Sequence, residues 1–229
     1  MRHEIDRRAL LAAGAALGAT AALTAVPGTA YAAGSVPPGG SQWSGGDSAN
    51  GWPVLEEARL FRIEGSGQSV RLADGDAAVI LLHVARRFHY ELDPLRPGDV
   101  RGHSTNRSVA QEYESNHLSG TALAIRPHAY PVGVKGGLYP RELVVIRDIL
   151  AELNGAVAWG GDFGTPKESH FEIAYQPGHP KVTGVARTIR GWREGPGNEG
   201  AGTVDAFALQ RRRQAAAFAR RSAQGVLRK

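Results

Sequence analysis

Ser115-Asn116-His117-Leu118-Ser119-Gly120-Thr121-Ala122-Leu123-Ala124 carries the chain out of a polar loop and into a weakly alternating strand over residues 121–125. A second run, Trp159-Gly160-Gly161-Asp162-Phe163 followed by Glu168-Ser169-His170-Phe171-Glu172-Ile173, supplies two more short strands, over 156–159 and 170–175. Upstream, residues 54–63 have the apolar spacing of a strand that ends in the turn Glu64-Gly65-Ser66-Gly67. Asp74-Gly75-Asp76 opens a helix over 77–92, in which Val79, Leu82, Ala85, Arg86 and His89 recur at helical spacing. Between the two quoted runs Pro140 opens a second helix. Leu143, Ile146, Leu150 and Leu153 form its apolar stripe, and Asn154-Gly155 ends it. The stretch 94–114 is a long polar loop, a candidate functional segment. Helices and strands do not alternate regularly, which predicts an α+β domain with a small mixed or antiparallel sheet and flanking helices rather than a doubly wound sheet.

The chain has 229 residues, is 42% hydrophobic and 21% charged, and so has the apolar material for a real core. It has no cysteine, which excludes disulfides, thiolate zinc sites, iron–sulfur clusters and a cysteine nucleophile; any metal site must be built from His, Asp and Glu. Lys+Arg 27 against Asp+Glu 22 gives a formal charge of +5, carried almost wholly by arginine. That balance suits nucleic acid, an anionic membrane or an anionic cell wall equally.

Arg7 and Arg8 precede an uncharged Ala/Gly/Leu-rich run that Pro27 breaks, and Ala30-Tyr31-Ala32 gives the small-x-small pattern read by a signal peptidase. The segment Asp6-Arg7-Arg8-Ala9-Leu10-Leu11 resembles a twin-arginine export signal, so residues 1–32 are expected to be removed on secretion. An uncleaved membrane anchor is the alternative. Export makes nucleic acid an unsuitable partner. Residues 33–51, rich in Gly, Ser and Pro, read as a flexible linker, and 52–194 as the folded domain. In 195–229 a Gly-rich spacer leads to a basic helix carrying Arg211, Arg212, Arg213, Arg220 and Arg221. This tail is either a solvated end or a contact for anionic wall polymer or a membrane surface.

The two quoted runs together resemble the zinc D-alanyl-D-alanine carboxypeptidase family, which includes the L-alanyl-D-glutamate endopeptidases of peptidoglycan. The family's early motif is Ser-x-His-x-x-Gly-x-Ala-x-Asp; its later one is Trp-Gly-Gly followed by an acidic residue three before a His-Phe pair. The resemblance spans roughly residues 77–174 and implies a D-Ala-D-Ala carboxypeptidase-like fold. His117 and His170 would be metal ligands, an aspartate the third, with water in the fourth position and a carboxylate as base. Two positions depart from that pattern: Ala124 stands where the family has its aspartate ligand, and Lys167 where it has its catalytic acid. One change removes an anionic ligand; the other brings a cation towards the metal's place and supplies no base.

The resemblance therefore implies a secreted, cell-wall-associated domain that binds peptidoglycan stem peptide or a related ligand with zinc catalysis lost or altered. The alternative is an active metallopeptidase with relocated groups. Glu168 is then the replacement base, and Asp162, His128 or Glu172 the substitute ligand. Lys167 would itself serve as a base only without an adjacent metal. Ser115, Asn116, Arg126 and either Arg101 or Arg107 are the candidate substrate contacts. A third reading is a structural envelope protein whose groove is filled by its own side chains. No Gly-x-Ser-x-Gly, phosphate-binding Gly-Lys-Ser/Thr or dinucleotide glycine pattern is present in the expected mature domain.

Overall fold

The strand before the Glu64–Gly67 turn, the two expected helices and the strands of both motifs assemble into a mixed α+β structure in a computed structural model that describes residues 40–194 and 205–226, all within one compact unit. The export-signal segment, the first part of the expected linker and the Gly-rich spacer at 195–203 lie outside the described residues.

The strands are β1 (Ser41–Gln42), β2 (Arg59–Arg62), β3 (Ser69–Leu72), β4 (Val100–Arg101), β5 (Ser108–Val109), β6 (Ala122–Ile125), β7 (Val157–Trp159) and β8 (His170–Ile173). The helices are α1 (Asp76–Glu91), α2 (Pro140–Glu152), α3 (Pro180–Glu194) and α4 (Leu209–Val226). The main sheet has the order β4-β6-β8-β7 and every pair is antiparallel, while β1 pairs with β5 and β2 with β3.

In the central pair Ala122 faces Glu172, Leu123 faces Phe171, and Ala124 faces His170. Because side chains alternate along a strand, Leu123, Ile125, Phe171 and Ile173 enter the core with the helices. Ala122, Ala124, His170 and Glu172 take the other face.

Helix α1 is the core's centre: Ala77, Ile80, Leu81, Val84 and Ala85 are fully buried. Its apolar surface is wider than one stripe because the sheet and two helices surround it. Asp74 accepts the amide of Gly75 just before the helix, and Asp76 places an acid in its first turn.

The same helix buries an arginine. Arg87 donates to Glu91, Asp148 (2.8 Å) and Glu152 (2.9 Å), so its guanidinium joins α1 to α2. Asp148 and Glu152 also receive Arg211 of α4 at 2.6 and 3.1 Å. His83 completes the network at 2.8 Å from Glu152, and burial holds its imidazole below the usual histidine range and neutral. Against the cost of burial, His83 and Arg87 bring the Glu152 carboxyl down to about 2.

Three expectations change. The described part of the expected 33–51 linker is not free: β1 is paired, Asp47 bridges Pro53, and Ser48 is buried. The C-terminal helix is not a solvated tail, since Arg211 reaches the α2 carboxylates and Ala215 and Phe218 pack inward. Helix α3 was not anticipated; Val182, Ala186 and Ile189 are its buried positions.

Arg87→Met should destabilise the fold by about 3–5 kcal/mol at pH 7, because it strands buried carboxylates; urea unfolding reads this. In the unsubstituted protein the Glu152 contribution is full above its unfolded value of about 4.3 and disappears as pH falls towards 2. The variant should therefore show a shallower loss of stability between those limits.

Candidate functional site

The polar face of β6 and β8 meets a short 3₁₀ helix, Glu112–His117, that delivers the first histidine. Gln111 and Glu114 cap its start reciprocally, and Glu114 Oε2 accepts the Ala110 amide at 2.7 Å. The chain then turns into β6 at Gly120, whose φ of 67° lies in the left-handed region. A Cβ there would stand 2.5 Å from the Ala73 amide nitrogen, so only glycine fits. Gly160 has an equivalent role beside β8: a Cβ would meet the Lys167 carbonyl at 2.4 Å and His170 Cβ at 3.0 Å.

These turns bring His117 and His170 together, ring centroids 5.3 Å apart and inclined at 75°. His117 Nδ1 donates to the Gly102 carbonyl at 2.8 Å, which fixes its tautomer and leaves Nε2 as the unprotonated nitrogen. His170 Nε2 lies 2.7 Å from Glu172 Oε2, and Asn116 donates to that same oxygen at 2.7 Å. Nδ1 of His170 is buried with no hydrogen-bond partner. Tyr113 lies 4.9 Å and Phe163 6.1 Å from the His170 ring, centroid to centroid, and His170 is fully buried.

Burial dominates the electrostatics. It lowers both imidazoles to about 3, assisted for His117 by His170 and then by the Lys167 ammonium, and for His170 by Lys167. Burial also raises the Glu172 carboxyl to about 7, against the stabilising bond from Asn116. Tyr113 is pushed upward by burial and by Glu114 and Glu172, so its phenol stays protonated. Lys167 Nζ donates to Glu114 Oε1 at 2.6 Å; the lysine's charge and the capping amides hold that carboxyl below its ordinary value despite burial.

The other expected site residues are employed elsewhere. Glu168 is not a poised base: its carboxylate accepts the amides of Gly136, Gly137 and Leu138 at 2.8, 2.8 and 3.3 Å and fastens that loop. Asp162 is paired with Arg147, which also stacks 4.9 Å over Trp159. His128 is exposed and lies 2.8 Å from Arg101. Arg126 pairs with Asp93 and Asp99, and Arg107 donates to the carbonyls of Trp43 and Gly45.

Ser115 and Asn116 hold the N-terminal segment: Ala49 N–H donates to Ser115 Oγ at 2.9 Å, and Asn50 N–H to Asn116 Oδ1 at 3.0 Å. Asn50 Nδ2 continues to Thr121 and to the Ile173 carbonyl, and Ser48 bonds Ser119. Of the expected substrate contacts, only Asn116 reaches the histidine pair, through Glu172. Glu114 and Tyr113 were missed; the Gln111-x-x-Glu114 capping pattern was the available signal for the first.

The zinc expectation can be tested on the donors themselves. His117 Nε2 and His170 Nδ1 are two nitrogens suited to a metal, and the orphaned Nδ1 is the kind of atom a ligand would satisfy. A catalytic zinc takes three protein ligands. Opposite His170 stands the methyl of Ala124, Glu172 occupies the outer nitrogen of His170, and Glu114 is bound to a cation. Among the described residues no group of three or more His, Asp or Glu side chains is arranged to hold a metal ion. The residues present do not fit the site the resemblance implies.

The chain matches no protein-family model, and comparisons with curated proteins and with solved structures yield no match.

Two measurements check the site. The His117 imidazole should stay neutral from pH 8 to about 4.5 by NMR, and Lys167→Met should raise its pKa because a nearby positive charge is removed. Asn50→Ala should lower stability by about 1–3 kcal/mol, since it leaves buried partners at Thr121 and Ile173 unmet.

Proposed function

We propose that this chain is an exported, cell-wall-associated domain of D-Ala-D-Ala carboxypeptidase-like fold that binds peptidoglycan stem peptide, or a related wall ligand, without zinc hydrolysis. The observation that carries the reading is the juxtaposition at the histidine pair: Ala124 opposite His170, and Lys167 paired with Glu114 beside both imidazoles. A methyl and an ammonium thus stand where the resemblance calls for a ligand and a base. The export reading rests on the Arg7-Arg8 segment and the Ala30-Tyr31-Ala32 pattern. No helix of the described residues is long and apolar enough to cross a membrane.

A specific observation also favours the filled-groove reading, a structural envelope protein. His170 lies fully buried with the Tyr113 and Phe163 rings against it, leaving the half-buried His117 as the more accessible member of the pair.

Calorimetry with a synthetic stem pentapeptide separates the readings. Binding that persists in chelator, with no peptide cleaved, is the expected result. No binding would favour the structural protein, and chelator-sensitive cleavage would establish the relocated-ligand peptidase. In parallel, Ala124→Asp combined with Lys167→Asp should raise zinc affinity by at least about tenfold, and by more than either change alone, because ligand and charge act together.

A further inference from the structure

Helix α4 puts Arg211, Arg212, Arg213, Arg220 and Arg221 and no acidic residue into 18 residues, a local charge equal to the formal +5 of the whole chain. Its inward side is satisfied: Arg211 binds Asp148 and Glu152, Ala215 is buried, and Phe218 packs on the core. The outward side is different. Leu209, Arg213, Ala216 and Arg220 recur at steps of four, three and four residues, so they lie along one helical face, and all four are exposed.

Arg212, Arg213, Arg220 and Arg221 are exposed, and no carboxylate among the described residues pairs with them. At the start of the helix Phe207 and Leu209 are 52% and 63% exposed. Beside it, Leu143, Val144, Ala215 and Ala216 line a groove of about 250 Å³ between α2 and α4 that Arg212 also borders.

We propose that this face of α4 is a docking surface for an anionic lipid membrane, with the helix lying in the plane of the surface. Unpaired arginines supply attraction to anionic headgroups, and Phe207 and Leu209 enter the headgroup–acyl boundary. The apolar residues decide between lipid and a soluble polyanion. A polyanion would use the arginines alone, and Phe207 and Leu209 would gain nothing from leaving water. Arg211 takes no part, because its guanidinium holds the helix to the domain. This inference stands apart from the reading of the histidine pair.

The test is co-sedimentation of the whole protein with vesicles of phosphatidylcholine, with and without about one third phosphatidylglycerol, at about 0.15 M salt. Binding should require phosphatidylglycerol and weaken as salt rises. Replacing Arg212, Arg213, Arg220 and Arg221 with glutamine should lower partitioning at least about tenfold. Phe207→Ser with Leu209→Ser should lower it several-fold while leaving binding to soluble polyphosphate unchanged. Thermal melts should show both variants folded. Equal partitioning onto neutral and anionic vesicles would overturn the proposal, as would indifference to the arginine substitutions. Unchanged partitioning of the Phe207/Leu209 variant would also overturn it, assigning the face to a polyanion.

Discussion

The antiparallel register of β6 against β8 is the constraint from which the site follows. It sets Leu123 and Phe171 against each other on the core side and Ala124 against His170 on the other. A slip of one residue would exchange the two faces, exposing the apolar residues to the polar side and burying His170 and Glu172 under the helices. The helical layer therefore fixes the chemistry of the opposite face without touching it. Gly120 and Gly160 are part of this constraint, because each allows a backbone approach that a Cβ would obstruct.

On that face, charge is arranged in two separate units. One is the neutral pair of imidazoles, held uncharged by burial and flanked by the Glu172 carboxyl, which lies 2.7 Å from His170 Nε2 and is itself pushed up by burial. The other is the Lys167–Glu114 ion pair, whose acid also caps the 3₁₀ helix that presents His117. A single residue, Glu114, thereby couples the position of His117 to the placement of the nearby cation. Buried ion pairs contribute little net stability compared with apolar packing, so the value of this one lies in where it puts charge.

The elements with strong local signals were legible in the sequence. The Glu64–Gly67 turn, the helix opened by Pro140 and both motif strands depend on nearby residues: glycines at a turn, an apolar stripe, a proline in the first helical turn. Helix α3 was obscured by Gly184 and Gly191, although Val182, Ala186 and Ile189 carry the helical spacing. The docking of α4 rests on Arg211 finding Asp148 and Glu152, a partnership that no local pattern announces. At the site, the two histidines could be paired from their motifs, but the occupations of Glu168, Asp162, Arg107 and Arg126 could not. Each is satisfied by groups distant in the chain or by backbone amides, and composition carries no record of such bonds.

The segment from Ser48 to Asn50 ties itself to residues 66, 71 and 123 positions further along: Ser115 and Asn116, Ser119 and Thr121, and the Ile173 carbonyl. Contacts of such span carry a large loop-closure cost and form only after the intervening chain is in place. The earliest part of the domain to emerge during synthesis is thus among the last to be locked. Completion of the histidine-bearing face becomes a report that β8 has already been laid down, so a truncated or half-made chain would leave that face unfinished.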